Sequence, residues 1–267
     1  MQKNGLIGGS DEAFIYPGSK LALLGHFKDN HMMSAQAADI IEATCSENVL
    51  KLTFSHPRGP KFHYNLSSNE TVGDMPLVPD PYEAMTIKLE TSSVPNSGHG
   101  IFTKRDVKED EILAFYNGFR FIGKLEQELH KKKCENETEG ETEEIRSKKC
   151  AKYRISNYLG DLIDIPPYLD DINLYNATLA QKVNNKFKPF INAAFGNIEH
   201  PRFGAIVTVW AIKDIKAGEE IFLNYGYNAK AESTRELFSW YADQYEETQA
   251  YLAKIKNGED VSHLPIP

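Results

Sequence analysis

Paired cysteines, long apolar runs, a surplus of basic residues and the common nucleotide-binding and hydrolase fingerprints are all missing from this 267-residue chain. The three cysteines, Cys45, Cys134 and Cys150, are odd in number and form no C-x-x-C pair. A disulfide framework and a metal site are therefore not expected, and a reducing compartment fits. No apolar run reaches the length of a membrane span, and the N-terminus lacks the apolar core of a signal peptide, so a soluble intracellular protein is expected. The net charge is −8. That excludes the basic footprint a general nucleic-acid binder needs. An acidic surface suits attraction of basic substrates such as lysine-rich tails, and equally suits plain solubility. There is no G-x-x-x-x-G-K-[ST], G-x-S-x-G or H-E-x-x-H pattern.

What is present divides the chain by composition. Residues 1–75 carry aromatics, glycines and turn formers without a helical period. Short strands are predicted at Ile15-Tyr16, Leu24 to Lys28, Val49 to Phe54 and Lys61 to Tyr64, as a plain antiparallel sheet or the tail of a β-hairpin repeat array. Met75 to Tyr82 holds three prolines in eight residues and reads as an extended linker rather than helix, placing a domain boundary at 76–83. A second domain, 84–230, follows. It opens with a strand at Thr86 to Glu90, a tight glycine turn at Asn96 to Gly100 and a strand at Asp110 to Asn117. Residues 124–152 are dense in lysine and glutamate and read as a flexible or partly helical surface insertion; the lysine clusters are either a solvated loop or a nuclear-import signal. Asn173 to Val183 is a candidate short helix. Asn184 to Asn197 has no period and reads as an irregular segment threading past a site.

The most informative stretch begins at His200-Pro201-Arg202-Phe203-Gly204. A strand at Ala205 to Ile212 and a hairpin turn at Lys216 to Glu220 lead to Asn224-Tyr225-Gly226-Tyr227. On an extended chain Tyr225 and Tyr227 leave the same face, either plugging a core or walling a pocket. Ser233-Thr234-Arg235-Glu236 has the capping-box pattern for a helix over 231–258, stopped by Asn257-Gly258. The tail 259–267 is expected to be loose.

In combination these motifs resemble the SET-domain protein-lysine methyltransferases, and within them the branch that carries MORN repeats before the SET domain. The resemblance covers residues 8–256 apart from the 124–152 insertion. It rests on Ile15-Tyr16-Pro17, Ala22 to Phe27, Leu77 to Glu83, Phe115 to Gly118, Ile163 to Pro166 and His200 to Gly204. It implies a mostly β fold: small antiparallel sheets around a threaded segment, an N-terminal MORN-type antiparallel segment and a C-terminal post-SET helix. It implies methyl transfer from S-adenosylmethionine to a lysine of a histone or other nuclear protein, by a monomer in nucleus or cytoplasm without direct nucleic-acid contact. By the family pattern Ser97, Gly98, His99 and Gly100 form the cofactor turn, with Asn184, Asn185, Trp240 and Gln244 completing the cofactor site. Trp240 is either a stacking partner for the adenine or a core anchor of its helix. Tyr116 lines the lysine channel, Tyr225 is the tyrosine closest to the transferring methyl, and Tyr227 packs beside the channel.

Several positions depart from that pattern. Asn184-Asn185-Lys186-Phe187 stands where the family has Asn-His-Ser-Phe, and Ala180-Gln181 where it has Gly-His. With a two-residue gap placed after Pro189, Phe195 occupies the place of a channel tyrosine, which implies capacity beyond monomethylation. Two readings follow: an active lysine methyltransferase, or a SET-fold interaction protein with weakened or lost catalysis.

Overall fold

The computed structural model describes residues 9–29, 31–46, 49–62, 79–137, 153–165, 171 and 177–267. Strands β1 (Gly9–Ile15), β2 (Leu21–Lys28), β3 (His31–Ser46) and β4 (Val49–Phe54) pair antiparallel in that order, and β5 (Arg58–Phe62) pairs with β3. Gly25 lets β2 and β3 approach closely, because a Cβ there would lie 2.0 Å from the Ser34 carbonyl oxygen. Leu21, Leu23, Phe27, Met32, Ala35, Ala37 and Phe62 form the buried face of this sheet.

Helix α1 (Pro81–Thr86) begins inside the stretch expected to stay extended. Proline is tolerated in a first helical turn, where its missing N–H is no loss. Asp80 caps the helix by accepting from the Tyr82 and Glu83 backbone N–H groups at 2.9 and 3.2 Å. The earlier part of that proline run, the end of the strand expected at Lys61 to Tyr64, and the expected features at 138–152 and 173–176 lie outside the described residues.

A hairpin follows, β6 (Ile87–Thr91) with β7 (His99–Thr103). Next come β8 (Ile112–Tyr116) and β9 (Phe119–Phe121). Helix α2 (Gly123–Glu137) leads into β10 (Arg154–Ser156) and β11 (Leu162–Asp164), which join β9 in a three-stranded sheet. The start of the charged insertion is therefore helical. His130 on α2 stacks on Phe121 and lies 2.6 Å from Asp164 Oδ2.

Strands β12 (Asn184–Asn185), β13 (Ala193–His200), β14 (Gly204–Ala211) and β15 (Phe222–Leu223) carry the rest. The expected helix ending at Val183 shrinks, in its described part, to one 3-10 turn at Ala180–Lys182. Strand β13 lies partly within the segment read as irregular. Its alanines and Gly196 carry little β signal, and cross-strand pairing with all of β14 makes it a strand. The expected hairpin at 216–220 is not one: β15 pairs in parallel with β12, and the turn docks on Thr103 instead.

The sheet β13-β14-β8 serves two cores. One face presents Ala114, Tyr116, Val207 and Val209 to the main core. The other presents Phe115 and Ile206 to the core shared with the N-terminal sheet. His200 is the hub of that second core, 1% exposed, between Phe203, Phe115 and Tyr16. The Arg202 backbone N–H donates to His200 Nδ1 at 3.1 Å, so the ring proton sits on Nε2, which lies 3.2 Å from Asp80 Oδ2 in an oblique, chiefly electrostatic contact. The Tyr16 hydroxyl donates to the same oxygen at 2.8 Å.

The C-terminal helix is broken. Helix α3 (Glu232–Leu237) starts at Ala231 with no side-chain cap, so the capping box is not used, and the chain kinks at Phe238 before α4 (Ser239–Lys256). Gly258, at φ +78°, ends α4 as expected. The tail is tied rather than loose: the buried Lys186 ammonium donates to the Ile266 carbonyl at 3.0 Å and lies over Phe222.

Candidate active site

The site forms where the β6–β7 turn, the β12 strip and the end of β15 meet. Asn96 and Gly98 take positive φ, 62° and 68°, and turn the chain into β7. Behind the turn lies the Glu220 carboxylate, 7% exposed. Its oxygens accept from Ser92 Oγ at 2.6 Å, Ser93 N at 2.7 Å, Ser93 Oγ at 2.6 Å and Asn184 Nδ2 at 3.3 Å. Four donors saturate the carboxylate, so no cation is needed to offset its burial. Asn184 Nδ2 also donates to Ser92 Oγ at 2.9 Å and to the His99 carbonyl at 3.1 Å. Gly100 is the floor of this cluster, since a Cβ there would lie 2.1 Å from Glu220 Oε1 and 3.0 Å from Asn184 Nδ2. Gly100→Ala must displace a carboxylate pinned by four hydrogen bonds. Its expected cost is about 1–3 kcal/mol of stability, read as a lowered thermal midpoint together with weaker ligand binding at the turn.

Parallel pairing of β12 with β15 threads the strip past the turn. Asn192 fastens it, donating to the Glu220 carbonyl at 2.8 Å and accepting from Phe222 N at 2.8 Å. Tyr225 is held at both ends by this strip. Its backbone N–H donates to Asn185 Oδ1 at 2.9 Å, and its hydroxyl donates to the Val183 carbonyl at 2.8 Å.

An aromatic wall grows from there. The Tyr225 ring meets Tyr227 edge-on at 6.2 Å and Trp240 edge-on at 6.0 Å. Tyr227 stacks on Phe238 at 4.9 Å. The two tyrosines do not share a strand face, because β15 ends at Leu223 and Gly226, at φ +80°, turns the chain between them. They meet through ring contact instead. Tyr116 packs in the same core as Tyr225. Phe195 stands opposite Val209, on the sheet face shared by Val207 and Tyr116, and is 39% exposed. Trp240 is 47% exposed, while its neighbour Tyr241 is fully buried, so Tyr241 and not Trp240 anchors the helix.

Burial pushes the phenols of Tyr116, Tyr225 and Tyr227 above their ordinary value, and the nearby Asp164 charge adds to the effect on Tyr116. All three stay protonated at neutral pH and act as donors and dipoles, not as bases. No hydrogen bond engages the Tyr116 or Tyr227 hydroxyl among the described residues.

The structure thus brings together Gly100, Asn184, Asn185, Tyr225, Tyr227, Trp240 and Gln244, with Ser97, Gly98 and His99 on the adjoining turn. Asn185 and Gln244 bond each other. Sequence reasoning missed Ser92, Ser93 and Val183. It used Glu220 only as part of a turn, since its partners lie 128 and 127 residues away and leave no local signal. Among the described residues no group of three or more His, Cys, Asp or Glu is placed to hold a metal ion, and no helix is long and apolar enough to cross a membrane.

Comparison with known proteins matches residues 98–226 to the SET domain. Residues 1–52 match the family described as histone H3 K4-specific methyltransferase SET7 N-terminal. The histone-lysine N-methyltransferase SETD7 of Halocynthia roretzi is 31% identical over 239 residues, 87% of this chain and 56% of that protein. The variant-silencing SET domain-containing protein of Plasmodium falciparum (isolate 3D7) is 25% identical over 206 residues, 75% of this chain and 7% of that protein. The chain spans little more than half the length of the first relative and a small part of the second. Among solved structures, CpSET8 from Cryptosporidium matches with a TM-score of 0.38 and 14% identity, over 55% of this chain and 61% of that one.

Proposed function

The chain belongs to the SET-domain family through residues 98–226, and from that membership we propose that it transfers methyl groups from S-adenosylmethionine to a lysine side chain of a histone or other nuclear protein. The observation that carries the reading is the aromatic wall. Tyr225 meets Tyr227 and Trp240 edge-on, Tyr116 packs in the same core as Tyr225, and among the described residues no hydrogen bond engages the Tyr116 or Tyr227 hydroxyl.

The residues present fit S-adenosylmethionine. Nothing lies within 4 Å of where a Cβ on Gly98 would point, so the turn is open to a ligand. Asn184 spends its amide nitrogen within the fold and keeps its amide oxygen unbonded among the described residues. Trp240 presents a half-exposed ring. Ser97, Gly98, His99, Gly100, Asn184 and Trp240 would hold the cofactor, which supplies a methyl group on a sulfonium centre. The chain's own part is positioning. Aromatic faces attract the lysine ammonium before it loses its proton. The neutral amine is then oriented by protonated phenols, and orientation of two reactants carries much of the rate. An acidic chain favours approach of a basic substrate.

Phe195 refines the outcome. It has no hydroxyl to hydrogen-bond the amine and is 39% exposed, which supports acceptance of an amine that already carries a methyl. Mass spectrometry of the product is expected to show dimethyl-lysine, and Phe195→Tyr is expected to suppress it. A strictly monomethyl product from the native chain contradicts this.

Titration calorimetry with S-adenosylmethionine tests the cofactor assignment. Saturable binding is expected. No heat at cofactor concentrations on the order of millimolar, an affinity weaker than about 4 kcal/mol, would leave the SET fold as an interaction module without catalysis.

A further inference from the structure

One buried amide joins three parts of the site. Asn185 is 3% exposed on β12. Its Oδ1 accepts the Tyr225 backbone N–H at 2.9 Å, and its Nδ2 donates to Gln244 Oε1 at 2.7 Å. Gln244 answers by donating through Nε2 to the Asn185 carbonyl at 3.2 Å. The two residues thus bond each other in both directions, side chain to side chain one way and Gln244 side chain to Asn185 main chain the other, and the Asn185 amide oxygen is spent on the backbone of the central tyrosine.

Gln244 stands one helical turn after Trp240 on α4, and Thr248 Oγ1 bonds its carbonyl at 2.8 Å a turn further on. Fixing Gln244 therefore fixes the part of α4 that carries Trp240. At the other end, Tyr225 has its hydroxyl on Val183 and its N–H on Asn185, so the 183–185 strip sets where its ring sits. Neither arm is replaceable by apolar packing, because removing one partner leaves a buried amide unpaired.

We propose that Asn185 and Gln244 are positioning residues, a reciprocal amide clasp that locks helix α4 and Tyr225 into one unit, rather than groups that read the cofactor directly. The proposal rests on the methyltransferase reading only for its kinetic consequence. The mechanical coupling belongs to the fold.

Hydrogen exchange on the ligand-free protein, followed by kinetics, tests it. Gln244→Met keeps the length and helix preference of the side chain and removes both polar arms. It touches no atom of Tyr225, yet is expected to speed exchange of the Tyr225 amide several-fold through the loosened Asn185. With cofactor and a lysine peptide it is expected to lower kcat about tenfold while moving the cofactor Kd less than about twofold, since a misplaced wall costs rate rather than ground-state binding. Asn185→Ala is expected to do more, and the double variant no worse than Asn185→Ala alone, because the residues act as one unit. Glu247→Ala, on the exposed face of the same helix, should change none of these. The clasp is overturned if Gln244→Met leaves the Tyr225 amide at its native exchange rate, or if its whole effect falls on cofactor Kd. If the native chain neither binds cofactor nor methylates, the methyltransferase reading fails, and the exchange arm still decides the clasp.

Discussion

Replacing Tyr225 with phenylalanine is expected to lower kcat about a hundredfold or more while leaving the fold intact. The ring remains to pack against Tyr227 and Trp240, and the backbone N–H still reaches Asn185. What goes is the hydroxyl, and with it the bond to the Val183 carbonyl. That bond fixes the phenol oxygen against the strip and leaves its lone pairs free to accept. Burial keeps the phenol protonated at neutral pH, so its loss removes an oriented dipole and not a titrating base. The pH–rate profile of the variant should therefore keep its shape while its height falls. A drop confined to KM for the peptide, with kcat unchanged, would mean that Tyr225 binds without orienting. Titration calorimetry separates this from cofactor loss, because the turn at 97–100, proposed above to hold the cofactor, makes no bond to the Tyr225 hydroxyl.

The second large effect is on stability. Asp80→Ala is expected to cost about 3–5 kcal/mol, the usual penalty for breaking a buried charged network from one side. Asp80 is 1% exposed and serves Tyr16, His200 and the first turn of α1 at once. Burial pushes its carboxyl up, but His200, the Tyr16 hydroxyl and the Arg202 charge together outweigh this and hold it below its ordinary value. Removal frees the N-terminal sheet from β13 and α1, and a fall of roughly 10 °C in thermal midpoint follows for a chain of this size. Loss of less than about 1 kcal/mol would show that the apolar contacts around Phe115 and Phe203 hold the two parts together unaided.

The same cluster sets an acid limit. Burial lowers the His200 pKa below its ordinary value. The unfolded chain takes up a proton near pH 6.5 and the folded one does not, so this contribution is full above about pH 6.5 and is lost as pH falls. Glu83 runs the other way. Burial raises its carboxyl well above the ordinary value, so its contribution is full at low pH and fades as pH rises. Glu83→Gln removes that counter-trend and can still accept the Phe115 N–H. Denaturant midpoints of this variant should fall steadily below about pH 6.5. A flat profile down to pH 5 would contradict a neutral buried His200.

Much of the fold was legible because local chemistry and tertiary structure agree there. The strand at 205–212, the turn at Gly98 and the stop at Gly258 are cases where a β-rich run or a positive-φ position needs no distant partner. Strand β13 was not legible, because its pairing with β14 and not its own alanines and glycine decides it. The capping box at 233–236 failed because the chain enters α3 two residues early and breaks at Phe238, where Tyr227 stacks. In the site, the paired tyrosines and Trp240 were visible as residue types. Their arrangement was not, since Gly226 breaks the strand that would have aligned them. The carboxylate behind the glycine turn was hidden for a different reason: Ser92, Ser93 and Asn184 converge on Glu220 only in three dimensions.

The most direct test of the central claim is mass spectrometry of lysine peptides incubated with the native chain and S-adenosylmethionine, with Tyr225→Phe run in parallel. Methyl groups appearing on a lysine, with dimethyl product accumulating and the variant about a hundredfold slower, are the predicted result. Bound cofactor without any methylated lysine, or equal rates from the native chain and the variant, would contradict it.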